Sequence, residues 1–178
     1  VTDANACTKV STTTISSTAP IVSISSQTNV SCTAGTNGSA TASVSGGTPF
    51  YTYSWSPTSQ TTSTATGLAA GNYTVLVTDG IGCTASATVG ITQPSVLSVS
   101  VTPTGTSCGM SNGSASANVS GGTLAYSYSW APAGGTNSTA TGLAAGNYTV
   151  SITDGNGCTA AATGTVAASS GPSVSISA

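Results

Sequence analysis

The chain reads as all-β: a tandem array of β-sandwiches, each about 75 residues long. Three observations predict this. Ser63–Val75 and Ser138–Val150 both read STATGLAAGNYTV, so the sequence repeats at an offset of 75. Apolar residues alternate with polar ones, and no stretch has helical periodicity. Gly-Gly-Thr and Asp-Gly-x-Gly punctuate the alternating runs as turns. A period this long makes each unit a small domain rather than one coil of a solenoid.

In chain order, the first full repeat predicts seven short strands. They lie at 22–25, 39–45, 51–56, 60–62, 64–68, 73–78 and 84–91. In the third, Tyr51, Tyr53 and Trp55 share a face while Thr52 and Ser54 share the other. In the sixth, Tyr73, Val75 and Val77 share a face, as do Tyr148, Val150 and Ile152 one period on. Leu97, Val99 and Val101 follow the same rule. Ala69-Ala70 and Ala144-Ala145 lie between glycines and read as turns. Seven strands in 75 residues fit an immunoglobulin-like sandwich. Its expected core is Tyr53, Trp55, Tyr73 and Val75, with Tyr128, Trp130, Tyr148 and Val150 in the second copy. Tyr73 and Tyr148 are expected to bond their hydroxyls back to the upstream backbone. These aromatics could instead form a sugar-stacking strip, but strand-spaced aromatics on one face are what a sandwich core needs.

The expected organisation is a C-terminal fragment of one repeat (1–19), two full repeats (20–95 and 96–171), and the start of another (172–178). The opening residues through Cys7 align with Val77–Cys83, deep inside a repeat. The chain therefore reads as a window on a longer array. Neither a signal peptide nor an apolar run of membrane-spanning length is visible, and a window would lack both.

Charge is nearly absent. Lys9, Asp3, Asp79 and Asp154 are the whole inventory, and there is no His. Ser and Thr supply 66 of 178 residues, so hydroxyls must wet the surface. The lack of basic residues argues against nucleic acid and anionic membranes as partners. Few charges on strand-rich surfaces also favour lateral packing. Catalysis lacks its parts: no His to activate a Ser or Cys, and one Asp per repeat where paired carboxylates need two. No Gly-rich loop opens a helix to cradle a phosphate. Calcium at Asp79 or Asp154 would want several carboxylates, and an Asp that caps its own turn is the commoner arrangement. No metal or other cofactor is expected. Asn-x-Ser/Thr occurs at Asn29, Asn37, Asn72, Asn112, Asn118, Asn137 and Asn147, a number that so much Ser and Thr goes far to generate by chance.

Two cysteines recur per repeat, Cys32 with Cys83 and Cys108 with Cys158, while Cys7 has its partner outside the window. Without His or Cys-x-x-Cys they read as disulfides, which imply an oxidising, extracytoplasmic compartment. The constant spacing of 50 to 51 favours bonds within each repeat, Cys32–Cys83 and Cys108–Cys158. Their places in the strand order put them at opposite ends of a sandwich, roughly 20 Å apart at about 3.3 Å per residue. A staple between repeats, Cys32–Cys158, or a Cys83–Cys108 bond, therefore stays open.

Taken together, Cys-x(3–4)-Asn-Gly-Ser-Ala, Ser-Gly-Gly-Thr, Tyr-x-Tyr-Ser-Trp, Gly-Leu-Ala-Ala-Gly-Asn-Tyr-Thr-Val and Thr-Asp-x-x-Gly-Cys resemble the SprB repeat of large surface adhesins of gliding Bacteroidetes. PKD-type immunoglobulin-like domains are a looser likeness, around Gly-Asn-Tyr-Thr-Val. The resemblance implies type IX secretion, extracellular display at the cell surface, and a link to gliding motility or attachment. It departs at Ile81, where Asn is expected, and at Ala6, where Gly is. The function expected is a non-enzymatic stalk segment, each sandwich adding roughly 35–40 Å of reach. Pro94, within Gln93-Pro94-Ser95, would stiffen the joint. Partners would be neighbouring repeats, identical filaments or surface polysaccharide. A self-assembling fibre subunit and a carbohydrate-binding module are the alternatives.

Overall fold

The computed structural model describes residues 2, 4–8, 10 and 18–169. The segment 172–178, with Asp3 and Lys9, lies outside the described residues. Twelve strands run through the described chain. The first repeat supplies β1 (Ile21–Thr28), β2 (Gly38–Ser45), β3 (Thr52–Ser56), β4 (Thr64–Leu68), β5 (Gly71–Thr78) and β6 (Thr84–Ile91). The second supplies β7 (Ser98–Thr104), β8 (Gly113–Ser120), β9 (Ser127–Ala131), β10 (Thr139–Leu143), β11 (Gly146–Thr153) and β12 (Thr159–Val166). In each repeat the strands form two three-stranded sheets, with orders β1-β2-β4 and β3-β5-β6, then β10-β8-β7 and β12-β11-β9. First, second and fourth strands in one sheet, third, fifth and sixth in the other, is the immunoglobulin-like arrangement lacking one edge strand.

The chain divides into two compact units. One draws its described residues from Val1–Gln27, Ala40–Ala65 and Asn72–Val89, the other from Thr28–Ser39, Thr66–Gly71 and Gly90–Ala178. In the second, the core joins Ala115 and Ala140 of one sheet to Trp130, Tyr148, Val150, Ile152 and Val166 of the other. Alanines opposite a tryptophan let the indole fill the gap between the sheets without a void. Val99, Val101, Tyr126 and Tyr128 pack around that core, half-buried. In the first repeat Trp55 and Val75 are fully buried and Tyr73 nearly so, while Tyr53 is half-buried.

Both tryptophans answer the demand of a buried N–H for a partner. Trp55 Nε1 donates to Thr62 O at 2.9 Å, and Trp130 Nε1 to Asn137 O at 2.9 Å. This explains one departure from the sequence reading. Residues 60–62 form no strand; Gln60 is half-buried, Thr61 and Thr62 are exposed, and Trp55 N donates to Gln60 O at 2.9 Å. Two of the segment's carbonyls serve Trp55, that of Thr62 taking the indole N–H and that of Gln60 the backbone N–H in β3. Tyr148 Oη donates to Ala144 O at 3.2 Å, the upstream-backbone bond read from Gly-Asn-Tyr.

Trp55→Ala should therefore remove a wholly buried indole and strand the Thr62 carbonyl. The expected loss is roughly 3–5 kcal/mol, read as a lower denaturant midpoint with Trp130 fluorescence as probe.

Candidate crosslinking site

The site is built from one turn that occurs twice. After β11 the chain reads Asp154-Gly155-Asn156-Gly157-Cys158. Asp154 Oδ1 accepts the N–H groups of Asn156 and Cys158, each at 2.9 Å. Asp154 Oδ2 accepts Thr123 N at 2.9 Å, tying the turn to the Gly121-Gly122-Thr123 loop between β8 and β9. Gly155 N donates to Thr123 O at 2.9 Å and Asp154 N to Cys158 O at 2.9 Å. The copy after β5 is built alike. Asp79 Oδ2 accepts Thr48 N at 3.0 Å, while its Oδ1 accepts Cys83 N at 2.8 Å and Ile81 N at 3.1 Å. A Cβ on Gly155 would stand 2.7 Å from Leu124 O, so the loops approach this closely only with glycine there. A Cβ on Gly122 would meet Asp154 Oδ2 at 2.7 Å, and its φ of +64° suits glycine too.

Both aspartates are buried, 5 % exposed. Their carboxyls are held below the usual range, first by the Thr48 or Thr123 N–H, against an opposing desolvation, and then by the N–H groups of the turn. Each carboxylate thus faces amide donors, which is the turn-capping arrangement. Among the described residues no three His, Cys, Asp or Glu side chains gather into a metal-holding group.

The turn delivers Cys158 to its partner. Cys158 is bonded to Cys32, with S–S 2.07 Å and Cα atoms 5.7 Å apart. Cys32 sits in the loop between β1 and β2, which belongs to the same compact unit as the second repeat. Asn37 shapes that loop by accepting Ser31 N at 3.1 Å, and Gly35 N donates to Cys32 O at 3.0 Å. The segment entering β7 is laid along it. Thr33 Oγ1 donates to Pro94 O and Ala34 N to Gln93 Oε1, both at 3.0 Å. Gly122 N then donates to Ser95 O at 2.9 Å. Asn156 Nδ2 completes the joint, donating to Ser31 O at 2.9 Å and to Thr123 Oγ1 at 3.0 Å.

The pairing within repeats, Cys32–Cys83 and Cys108–Cys158, is therefore corrected: the bond is Cys32–Cys158, and Cys83 and Cys108 are free thiols. The strand order gives the reason. Gly113, next to the Cys108 loop, pairs with Leu143 at the end of β10. The chain then turns into Gly146 and runs the length of β11 before reaching the Cys158 turn. Eight residues of strand hold Cys108 and Cys158 roughly 23 Å apart, far beyond the reach of a disulfide, about 7 Å between Cα atoms. Cys7 is exposed.

Asn156 and Ser31 had no advance reading as joint residues. The one signal was the Asn that distinguishes this turn from its Ile81 copy. Of the Asn-x-Ser/Thr positions, Asn37 and Asn112 are engaged in the cysteine loops, and Asn118 Nδ2 donates to Thr102 Oγ1. A cleft of about 430 Å³ beside the disulfide is lined by Thr33, Pro94, Leu97 and Gly122, and its single acid is the capped Asp154.

The family of SprB repeats matches at residues 24–60 and again at 100–135. Those segments start within the first strand of each repeat and carry the first cysteine, Ser-Gly-Gly-Thr and Tyr-x-Tyr-Ser-Trp. No curated protein matches the chain. Among solved structures, one described as the structural basis for Dscam isoform specificity is 17 % identical, with a TM-score of 0.40; the match covers 87 % of this chain and 47 % of that one. The N-terminal eight Ig domains of Down Syndrome Cell Adhesion Molecule are 14 % identical, with a TM-score of 0.42, over 86 % of this chain and 25 % of that one. The chain thus spans less than half the length of either.

Two outcomes test the site. Cys32→Ser should cost about 5 kcal/mol through the entropy of the long loop the bond closes, measured by denaturant unfolding against the unsubstituted oxidised chain, with Cys158→Ser expected to give the same loss. The aspartates set an acid limit. Their folded pKa lies below the ordinary 3.8, so their stabilisation is complete above that value and fades as pH falls through the folded one. Asp154→Asn should be less stable at neutral pH and should flatten the loss below pH 3.8, read from unfolding midpoints across an acid series.

Proposed function

We propose that this chain is a non-enzymatic, load-bearing spacer segment of a long extracellular adhesin or filament displayed at the cell surface. The observation that carries the reading is the Cys32–Cys158 bond, which links the first cysteine of one repeat to the second cysteine of the next. The SprB-repeat matches at 24–60 and 100–135 support the surface setting, and a structural disulfide suits an oxidising compartment. The catalytic side holds nothing comparable: Asp79 and Asp154 cap turns, and the carboxylate lining the cleft beside the disulfide is that of the capped Asp154. Both indoles are turned inward with their N–H groups bonded, which speaks for core rather than a sugar-stacking strip. The gliding setting rests on the family resemblance, with the adhesive tip elsewhere on the parent protein. Deleting a pair of repeats there should shorten the fibre and leave attachment in place.

The mechanical part is directly measurable. The bond encloses a sequence separation of 126 residues. Pulled from its ends, the oxidised chain cannot extend through that loop. Reduction should release about 440 Å of further contour, at roughly 3.5 Å per residue. Force spectroscopy with and without reductant reads the difference. Equal contour lengths in the two conditions would remove the load-bearing argument.

A further inference from the structure

A thiol reduces a disulfide only where it can reach a sulfur. Both cysteines of the Cys32–Cys158 bond are half-buried rather than enclosed, and both line the cleft of about 430 Å³ beside it. The core cluster around Trp130, Tyr148 and Val150 contains neither. The backbone that presents each sulfur is held by bonds in which sulfur takes no part. Asp154 Oδ1 accepts Cys158 N and Asn156 N, and Asn37 Oδ1 accepts Ser31 N. The Thr33–Pro94, Ala34–Gln93 and Asn156–Ser31 hydrogen bonds join the Cys32 loop, the connecting segment and the Cys158 turn. Ser31 O also lies 3.4 Å from Cys158 Sγ, where it can accept the thiol proton once the bond is cut.

We propose that the joint is a redox-set lock, in which small thiols entering the cleft cut Cys32–Cys158 while the sandwich beneath it stays folded. The reduced joint keeps its hydrogen bonds and loses its covalent ring. The cleft also selects among thiols. Asp154 is the one acid among its lining residues, and no Lys or Arg accompanies it there. The Thr123 N–H, against an opposing desolvation, and the amides of the turn hold that carboxyl below its usual range, so it is an anion at neutral pH. An attacking thiolate that carries further negative charge is repelled, and one that also carries an ammonium is not. The inference does not depend on the load-bearing reading, whose own test is contour length under force.

The exchange runs in two steps. A small thiolate attacks one protein sulfur, the S–S bond breaks, and the other cysteine leaves as a thiolate. A second small thiolate attacks the small-molecule sulfur of the mixed disulfide and expels the remaining cysteine. Two small thiols become one small disulfide, the protein bond takes up two electrons, and the two thiol protons end on Cys32 and Cys158.

The test uses the whole oxidised chain, its free thiols first blocked with iodoacetamide. Without denaturant, at neutral pH and equal thiolate concentration, it is exposed to cysteamine, mercaptoethanol or mercaptoethanesulfonate. Newly freed thiols are labelled with N-ethylmaleimide and mapped. Cys32 and Cys158 should both take the label while tryptophan fluorescence and the β-sheet circular dichroism keep their oxidised values. Rates should fall several-fold from cysteamine through mercaptoethanol to mercaptoethanesulfonate at low salt, and the spread should narrow at high salt. Reduction that occurs only with added urea, in step with unfolding, would overturn the proposal. So would loss of the tryptophan signal as the bond is cut. Equal rates for the three thiols at low salt would overturn the selection assigned to Asp154.

Discussion

The fold turns on a buried carboxylate that, among the described residues, has no cation beside it. In each repeat one aspartate accepts three backbone N–H groups, two from its own turn and one from the loop between the second and third strands. An anion inside a protein is costly unless its lone pairs are occupied by donors. Here the donors are amides, fixed in place by the backbone they belong to. The carboxylate thereby joins two loops of one sandwich and fixes the backbone of the cysteine four residues on. Replacing it with a hydroxyl would reach fewer donors. The near absence of other charges in the sequence suits this arrangement, since the amides have few cations to compete with for the aspartate.

With so few ions, the exposed sheet faces are organised by hydroxyls. Ser98 and Ser120 lie 2.8 Å apart across β7 and β8, and Thr149 and Thr163 lie 2.7 Å apart across β11 and β12. Ser116 and Thr139 repeat the motif at 3.1 Å, and Thr41 and Thr64 at 3.0 Å. Cross-strand pairs of this kind add a few tenths of a kcal/mol to about 1 kcal/mol each. Unlike surface ion pairs they are insensitive to salt screening. They also satisfy one another within the sheet, which leaves fewer hydroxyls seeking partners on another surface. A charge-poor β surface can thus be wetted without relying on electrostatic repulsion.

Much of the fold was legible in the sequence because strand alternation and burial are local. Tyr73, Val75 and Val77 share a face in the text and are buried together in the structure. The tyrosine hydroxyl bond was legible for the same reason, since Tyr148 and Ala144 are four residues apart. The strand at 60–62 misled because Gln60, Thr61 and Thr62 are acceptable strand formers. Only the tertiary need of Trp55 for a carbonyl partner decides against it. The disulfide lay further out of reach. Cys32 and Cys158 are 126 residues apart, and regular spacing within a repeat says nothing about which end of the sandwich each cysteine occupies. Strand direction does say it, and the estimate of opposite ends already contained the objection to the pairing that spacing favoured.

The choice of partner matters mechanically. A bond within a repeat would cap the extension of that repeat alone and leave the connection to the next one bare. A bond from the first loop of one repeat to the fifth-strand turn of the next encloses the connecting segment in the same covalent ring. Gln93, Pro94 and Ser95 lie within the ring and are also hydrogen-bonded along the Cys32 loop and the β8–β9 loop. Tension that would first peel a linker from its neighbours therefore meets a covalent bond before those weak contacts separate. In β-sandwich arrays the connection is commonly the softest element, because it buries little and has few partners. Here a covalent crosslink bridges the element that would otherwise yield first, and the aspartate turn holds the cysteine where that bridge can form.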